Sequence, residues 1–259
     1  TGRYKLLSPE SFVTLGYDVD AGSYRISGLR YEKLLTEAVV FVTSESIPVI
    51  QVLTGHGEIT GESLATFTEF LAGCNYQVEE ARLLSGGTLN PDALLMILSP
   101  QRDLSDAEAA AVQAFAANGG RLFVTRDFTD DTDAMPNFTA LLKSYGATPL
   151  AGVVVAGAGE SGTYYADQQL YLLPYMRETP LTSELIAGGM NVLMLAGSAA
   201  FAMPEETDGA LSAAEVLRSG DQAYLRDPSD GNVSIARQEK DASGPFTLAV
   251  AAERMHASG

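Results

Sequence analysis

Ile47-Pro48-Val49-Ile50-Gln51-Val52-Leu53 runs directly into Thr54-Gly55-His56-Gly57-Glu58, and an amphipathic segment follows. A short apolar run bounded by glycines reads as a buried strand, the loop as a tight turn, and residues 62–74 as a helix. In open α/β sheets, ligands bind in the crevice at the carboxyl ends of such strands. His56 is one of two histidines, and the other, His256, lies in the tail. The loop is therefore an active site, a binding site or a structural turn.

The surrounding pattern extends this unit. Leu64, Phe67, Phe70, Leu71 and Cys74 share one face of the first helix after the loop. Upstream, a polar stretch gives way at Tyr31 to Leu34, Leu35, Ala38, Val39 and Val42 at helical spacing. Residues 76–79 suit a short strand. Ala93-Leu94-Leu95-Met96-Ile97-Leu98 ends in Ser99-Pro100, as a central parallel strand does. Ser105-Asp106-Ala107-Glu108 is a capping box, and the alanine-rich helix behind it stops at Asn118-Gly119-Gly120. Residues 121–125 form the next strand. Pro136 opens a helix with Phe138, Leu141, Leu142 and Tyr145 on one face, ended by Gly146.

Strands and helices in this order, with short connections, predict an α/β fold with a doubly wound, mostly parallel sheet flanked by helices. Beyond residue 150 the pattern is less regular. Strands are expected at 152–156, 192–196, Val216-Leu217 and 246–251, a short helix at 182–187, and loops at 202–210 and 227–245. The reading is one domain over 1–259. Its core spans about 45–200, with an N-terminal extension (1–44) and irregular C-terminal strands (211–255) packed on it.

Composition narrows the function. Hydrophobic residues make up 46% of the 259, ample for a sizeable core. The net charge of −17 argues against nucleic-acid binding and against adhesion to an anionic bilayer. A single cysteine, Cys74, permits neither an intrachain disulfide nor a multi-cysteine metal site. No run reaches the roughly 18 apolar residues of a membrane helix. The chain begins at Thr1, without Met or a signal-like segment, as an excised piece whose flanks hold membrane anchors would.

Other candidate chemistry meets obstacles. Gly157-Ala158-Gly159-Glu160-Ser161-Gly162 matches a dinucleotide fingerprint, yet the aromatic-rich stretch after it lacks the helix that must receive the pyrophosphate. A glycine-rich hairpin connection explains it better. Asp127, Asp130, Asp131 and Asp133 cluster without the glycine and distal glutamate of a calcium loop. Only Asp127 sits at a strand's carboxyl end. Ser198, in Ala196-Gly197-Ser198-Ala199-Ala200, lacks the second glycine of a nucleophile elbow, and its base would have to be His256. His56 and Glu58 have no second histidine or cysteine to complete a zinc set. No metal and no cofactor is expected.

Several of these stretches are familiar together. Residues 32–43, then Pro48-Val49-Ile50-Gln51-Val52-Leu53-Thr54-Gly55-His56-Gly57-Glu58, resemble the GldG-like family, auxiliary components of ABC-type transport systems first linked to gliding motility. Leu98-Ser99-Pro100-Gln101-Arg102-Asp103-Leu104-Ser105 with Asn118-Gly119-Gly120-Arg121-Leu122, Thr179-Pro180-Leu181-Thr182, and Glu215-Val216-Leu217-Arg218-Ser219 to Ala223-Tyr224 extend the likeness over about residues 30–255. The resemblance implies a class I glutamine amidotransferase-like fold. It also implies an extracytoplasmic location, tethered by membrane helices of a longer polypeptide, and transporter permease and ATPase subunits as partners. Amidotransferases carry a nucleophilic cysteine where this chain has Thr125-Arg126-Asp127, and their downstream His-x-Glu is also missing, so a non-enzyme is expected. Acyl transfer needs nucleophile and base within hydrogen-bond reach.

The candidate binding surface for a partner protein, a small ligand or an envelope component is then Thr54, Gly55, His56, Gly57, Glu58, Ser99, Pro100, Arg126 and Asp127. An enzyme acting on a carbohydrate or envelope polymer is the competing expectation, with Glu58 and Asp127 as an acid–base pair.

Overall fold

The computed structural model describes residues 2–129, 131–205, 209–227 and 234–255. Two strands of the N-terminal extension, β1 (Val13–Asp18) and β2 (Ser23–Leu29), form an antiparallel ribbon ahead of helix α1 (Tyr31–Thr43). A parallel unit follows: β3 (Val49–Leu53), α2 (Ala65–Gly73), β4 (Gln77–Ala81), β5 (Leu94–Leu98), α3 (Asp106–Ala117), β6 (Arg121–Thr125) and α4 (Pro136–Ser144). Its four strands pair in parallel in the order β4-β3-β5-β6.

Period-two alternation splits these strands between two cores. Ile50 and Val52 of β3 and Met96 and Leu98 of β5 meet Leu64 and Leu71 on the α2 side. Leu53, Leu95 and Ile97 point the other way, onto Val112 and Phe115 of α3 and Phe138 and Leu141 of α4. Helices thus cover both faces, which is why both strands read as continuous apolar runs. Gln51 is the buried polar exception, donating to Glu79 Oε1 at 3.0 Å and accepting from the Asn90 N–H at 2.8 Å.

The capping box forms as expected, with Ser105 Oγ accepting from the Glu108 N–H. Helix α4 has no cap of its own. Asp103, from the loop before α3, accepts the N–H groups of Asn137 (3.0 Å) and Phe138 (2.9 Å) and takes that role.

The expectation of a mostly parallel sheet holds only for these four strands. Past residue 147 every pairing among the described residues is antiparallel. This half contains β7 (Thr148–Leu150), β8 (Val153–Val155), β9 (Tyr164–Tyr165), β10 (Gln168–Leu172), β11 (Tyr175–Met176), α5 (Ser183–Ala187), β12 (Leu195–Ala196), β13 (Ala200–Ala202), β14 (Leu211–Arg218), β15 (Tyr224–Arg226), β16 (Ala242–Ser243) and β17 (Thr247–Arg254). Its sheets run β11-β14-β17-β13-β7, β16-β15-β8 and β12-β10-β9. The strands read as C-terminal additions, β14 and β17, are central here, and Leu217 and Leu248 join Val154, Leu172 and Phe246 in one core.

Smaller departures have local causes. The strand expected at 192–196 shrinks to β12, with Val192 exposed. Ala242–Ser243 pairs inside a stretch read as loop, of which residues 228–233 lie outside the described part. On α2, Leu64 and Leu71 reach the core whereas Phe67 and Phe70 are exposed. On α1 the half-buried face is Leu34, Glu37, Ala38 and Phe41, so Leu35, Val39 and Val42 of the expected stripe face outward. The Asn75 side chain holds the inner face by donating to the Glu37 carbonyl.

Candidate functional site

The carboxyl ends of β3, β5 and β6 lie side by side and draw the nine candidate residues to one crest. Backbone bonds knit it together. The Ile59 N–H donates to Leu98 O (2.9 Å), the Ser99 N–H to Thr125 O (3.1 Å), and the N–H groups of Gln101 and Arg102 both donate to His56 O. Ser99 Oγ lies 3.1 Å from Thr125 Oγ1, and Gln101 Nε2 donates to Asp127 Oδ2 at 3.0 Å.

His56 does not face solvent. It is 3% exposed and lodged between two buried carboxylates. Its Nδ1 is 2.9 Å from Glu58 Oε1, and its Nε2 is 3.2 Å from Glu108 Oε2. Both ring nitrogens thus face carboxylate oxygens, while the second Glu108 oxygen, Oε1, is buried without a hydrogen-bond partner. Glu58 Oε2 also accepts the backbone N–H of His56 at 2.7 Å, closing a two-residue ring. Burial pushes the Glu108 carboxyl upward, but the Ser105 hydroxyl and N–H and the His56 ring outweigh it and hold the group below its ordinary value. The cluster ties the loop after β3 to the first turn of α3.

Glycines let the loop make that turn. Gly55 has φ +131° and Gly57 φ +82°, a region that L side chains avoid. A Cβ on Gly55 would also sit 2.9 Å from Leu84 Cδ1. The Gly55 carbonyl points outward and accepts from Arg102 Nη2 at 2.6 Å.

The other candidates divide in the same way. Ser99 and Pro100 are buried, and Ser99 adopts φ +49° to bring the chain off β5. Arg126 is half-buried, with its guanidinium 5.8 Å from the Phe138 ring centroid and Nη1 donating to Thr139 Oγ1 at 3.1 Å. Burial lowers its pKa against the opposing charge of Asp103. Asp127 and Gly57 are exposed and Thr54 is half-buried. Beside them the crest presents Ile59, Leu84 and Phe128, each at least 41% exposed, with Gln101 and Arg102.

Sequence reasoning missed Glu108, Leu84, Gln101 and Arg102. Glu108 was visible as a helix-cap residue, but nothing in its spacing pointed to a histidine 52 positions away.

The remaining motifs serve the scaffold. Residues 157–162 form turns leading into the β9–β10 hairpin, and Glu160 accepts the N–H groups of Asp221 and Gln222. Ser198 bridges to Asp127 through the backbone, and its hydroxyl donates to the Ala199 carbonyl. Asp130 and His256 lie outside the described residues. Among the described residues no group of three or more His, Cys, Asp or Glu is arranged to hold a metal ion, and no helix is long and apolar enough to cross a membrane. Cys74 caps α2 beside a cavity of about 120 Å³ lined by Val40, Phe41 and Tyr76.

Comparison with known proteins gives matches among solved structures and a family match. The solved mmIFT52 N-terminal domain is similar to this chain with a TM-score of 0.51 and 16% sequence identity, over 69% of this chain and 76% of that one. At this identity the likeness concerns the fold alone. No curated protein matches the chain. Residues 47–258, which include the whole crest, match the family described as ABC-type uncharacterized transport system. The chain therefore belongs to that family of auxiliary transport-system proteins, and its role is an accessory, transport-related one.

Proposed function

We propose that this chain is a non-catalytic, extracytoplasmic domain of an ABC-type transport system, of the GldG-like kind, which docks a protein partner of the transporter on its crest. Membrane helices elsewhere in a longer polypeptide would tether it beside the permease and ATPase subunits. Its parallel unit, with helices on both faces, is the part comparable to a class I glutamine amidotransferase-like core.

One observation carries the reading: Glu58, one half of the candidate acid–base pair, is spent internally. The Glu58 carboxylate is buried and receives both the N–H and the ring of His56, so it has no free proton-transfer face. Asp127 stays exposed, its Oδ2 accepting from Gln101 Nε2, and so stands without Glu58 as a working partner. An acid–base pair needs both carboxyls open to one substrate. What the crest offers is Ile59, Leu84 and Phe128 among polar side chains, a composition suited to protein contact.

The test is co-purification from membranes of the full-length gene product. Permease and ATPase subunits should accompany the wild type and be lost from a Leu84→Asp, Phe128→Asp double variant that still folds. Protease cleavage of this domain in spheroplasts with sealed inner membranes should confirm the location. A folded Glu58→Ala protein that loses a glycan-cleaving activity of the wild type would overturn the non-catalytic reading.

A further inference from the structure

The N-terminal ribbon has two chemically different faces. Its directly opposed pairs Val13–Leu29, Leu15–Ile26 and Tyr17–Tyr24 share one face, while Thr14–Gly28, Gly16–Arg25 and Asp18–Ser23 share the other. An Arg25–Asp18 ion pair at 3.1 Å sits on the polar side. Leu15, Tyr17, Tyr24, Ile26 and Leu29 on the apolar side are between 57% and 72% exposed. Neither strand contains a buried residue, and the ribbon is held at its base, where Phe12 stacks on Tyr31 at 4.9 Å and accepts the Arg30 N–H. A two-stranded ribbon with an uncovered apolar face is at best marginally stable in water.

We propose that this face is covered by the same face of a second copy of this chain, packed ribbon on ribbon about a two-fold axis. Three observations favour that occupant. The face itself carries no charge, so no like-charged side chains are directly opposed in the contact, and the −17 on each chain keeps the association weak and reversible. The same −17 disfavours an anionic membrane surface as the cover. Five half-exposed large side chains supply roughly 100 Å² each, on the scale of 150–250 Å² for a whole aromatic. That gives about 1,000 Å² over both copies, within the class of reversible interfaces. The family match begins at residue 47, so the ribbon lies outside the matched region.

Sedimentation velocity of the full chain over a wide concentration range tests this. The expected result is a reversible rise from one copy to two. A Leu15→Lys, Ile26→Lys double variant should weaken association at least tenfold, with the urea midpoint of the body unchanged. Hydrogen exchange should show the β1 and β2 amides protected in the dimer and released in that variant. A single-copy mass at every concentration overturns the proposal, as does a dimer that the double variant leaves intact. Neither outcome touches the crest, so the transporter-docking reading stands or falls separately.

Discussion

The crest and the ribbon exchange roles between sequence and structure. At the crest, residues 54–58 carry a histidine, a glutamate and two glycines, the composition of a reactive loop, yet His56 and Glu58 are buried and bonded inward. The ribbon falls in a stretch whose polar residues conceal its pattern, yet it exposes a row of large apolar side chains. Reactive residue types report chemistry only if they remain free after folding. Apolar residues report a core only if something in the chain covers them.

The largest expected difference between the two regions comes from removing His56. His56→Ala would leave Glu58 and Glu108 as buried carboxylates without their shared partner, and breaking such a cluster costs about 3–5 kcal/mol. A fall in the urea midpoint with an unchanged slope measures it. If the midpoint barely moves, the cluster is not what holds the loop to α3. Asp103→Ala comes next. It frees two first-turn N–H groups of α4 and should cost about 1–2 kcal/mol in the same experiment.

Acidification probes the crest from another side. Folded Glu108 sits below its ordinary value, so its contribution is complete above the unfolded carboxyl's pKa of about 4.3 and is lost as the pH falls through the folded one. Glu108→Gln should therefore start less stable at neutral pH and lose stability less steeply below about pH 5. Parallel stability–pH curves for the two proteins would remove Glu108 from the acid response. The smallest effect is expected in the ribbon, where Leu15→Ala on diluted protein should change stability by no more than about 0.5 kcal/mol. A loss comparable to that of His56→Ala would mean the ribbon is part of the body's core.

Legibility followed the range of the interactions. The strand from Val49 to Leu53, the strand from Leu94 to Leu98 and the capped helix between β5 and β6 were readable, because a sheet covered on both faces demands continuous apolar runs and helix ends demand local caps. The alternation Val13, Leu15, Tyr17 and Tyr24, Ile26 was present around Gly22 but was masked by interleaved polar residues. The antiparallel half was the least legible. Its core depends on β14 pairing with β17 and β13 with β7, long-range choices that no short window encodes.

The sequence by itself therefore determined the parallel unit, its order of strands and helices, and the crest on which the candidate residues converge. Periodicity and capping act over a few residues and leave their mark in composition. Tertiary structure alone decided that His56 would be enclosed by Glu58 and Glu108, that Asp103 would cap a helix not its own, and that the ribbon's apolar face would stay open. Partners of that kind are chosen by packing distant segments together, and packing sets which polar groups are spent internally and which surface is left to meet another molecule.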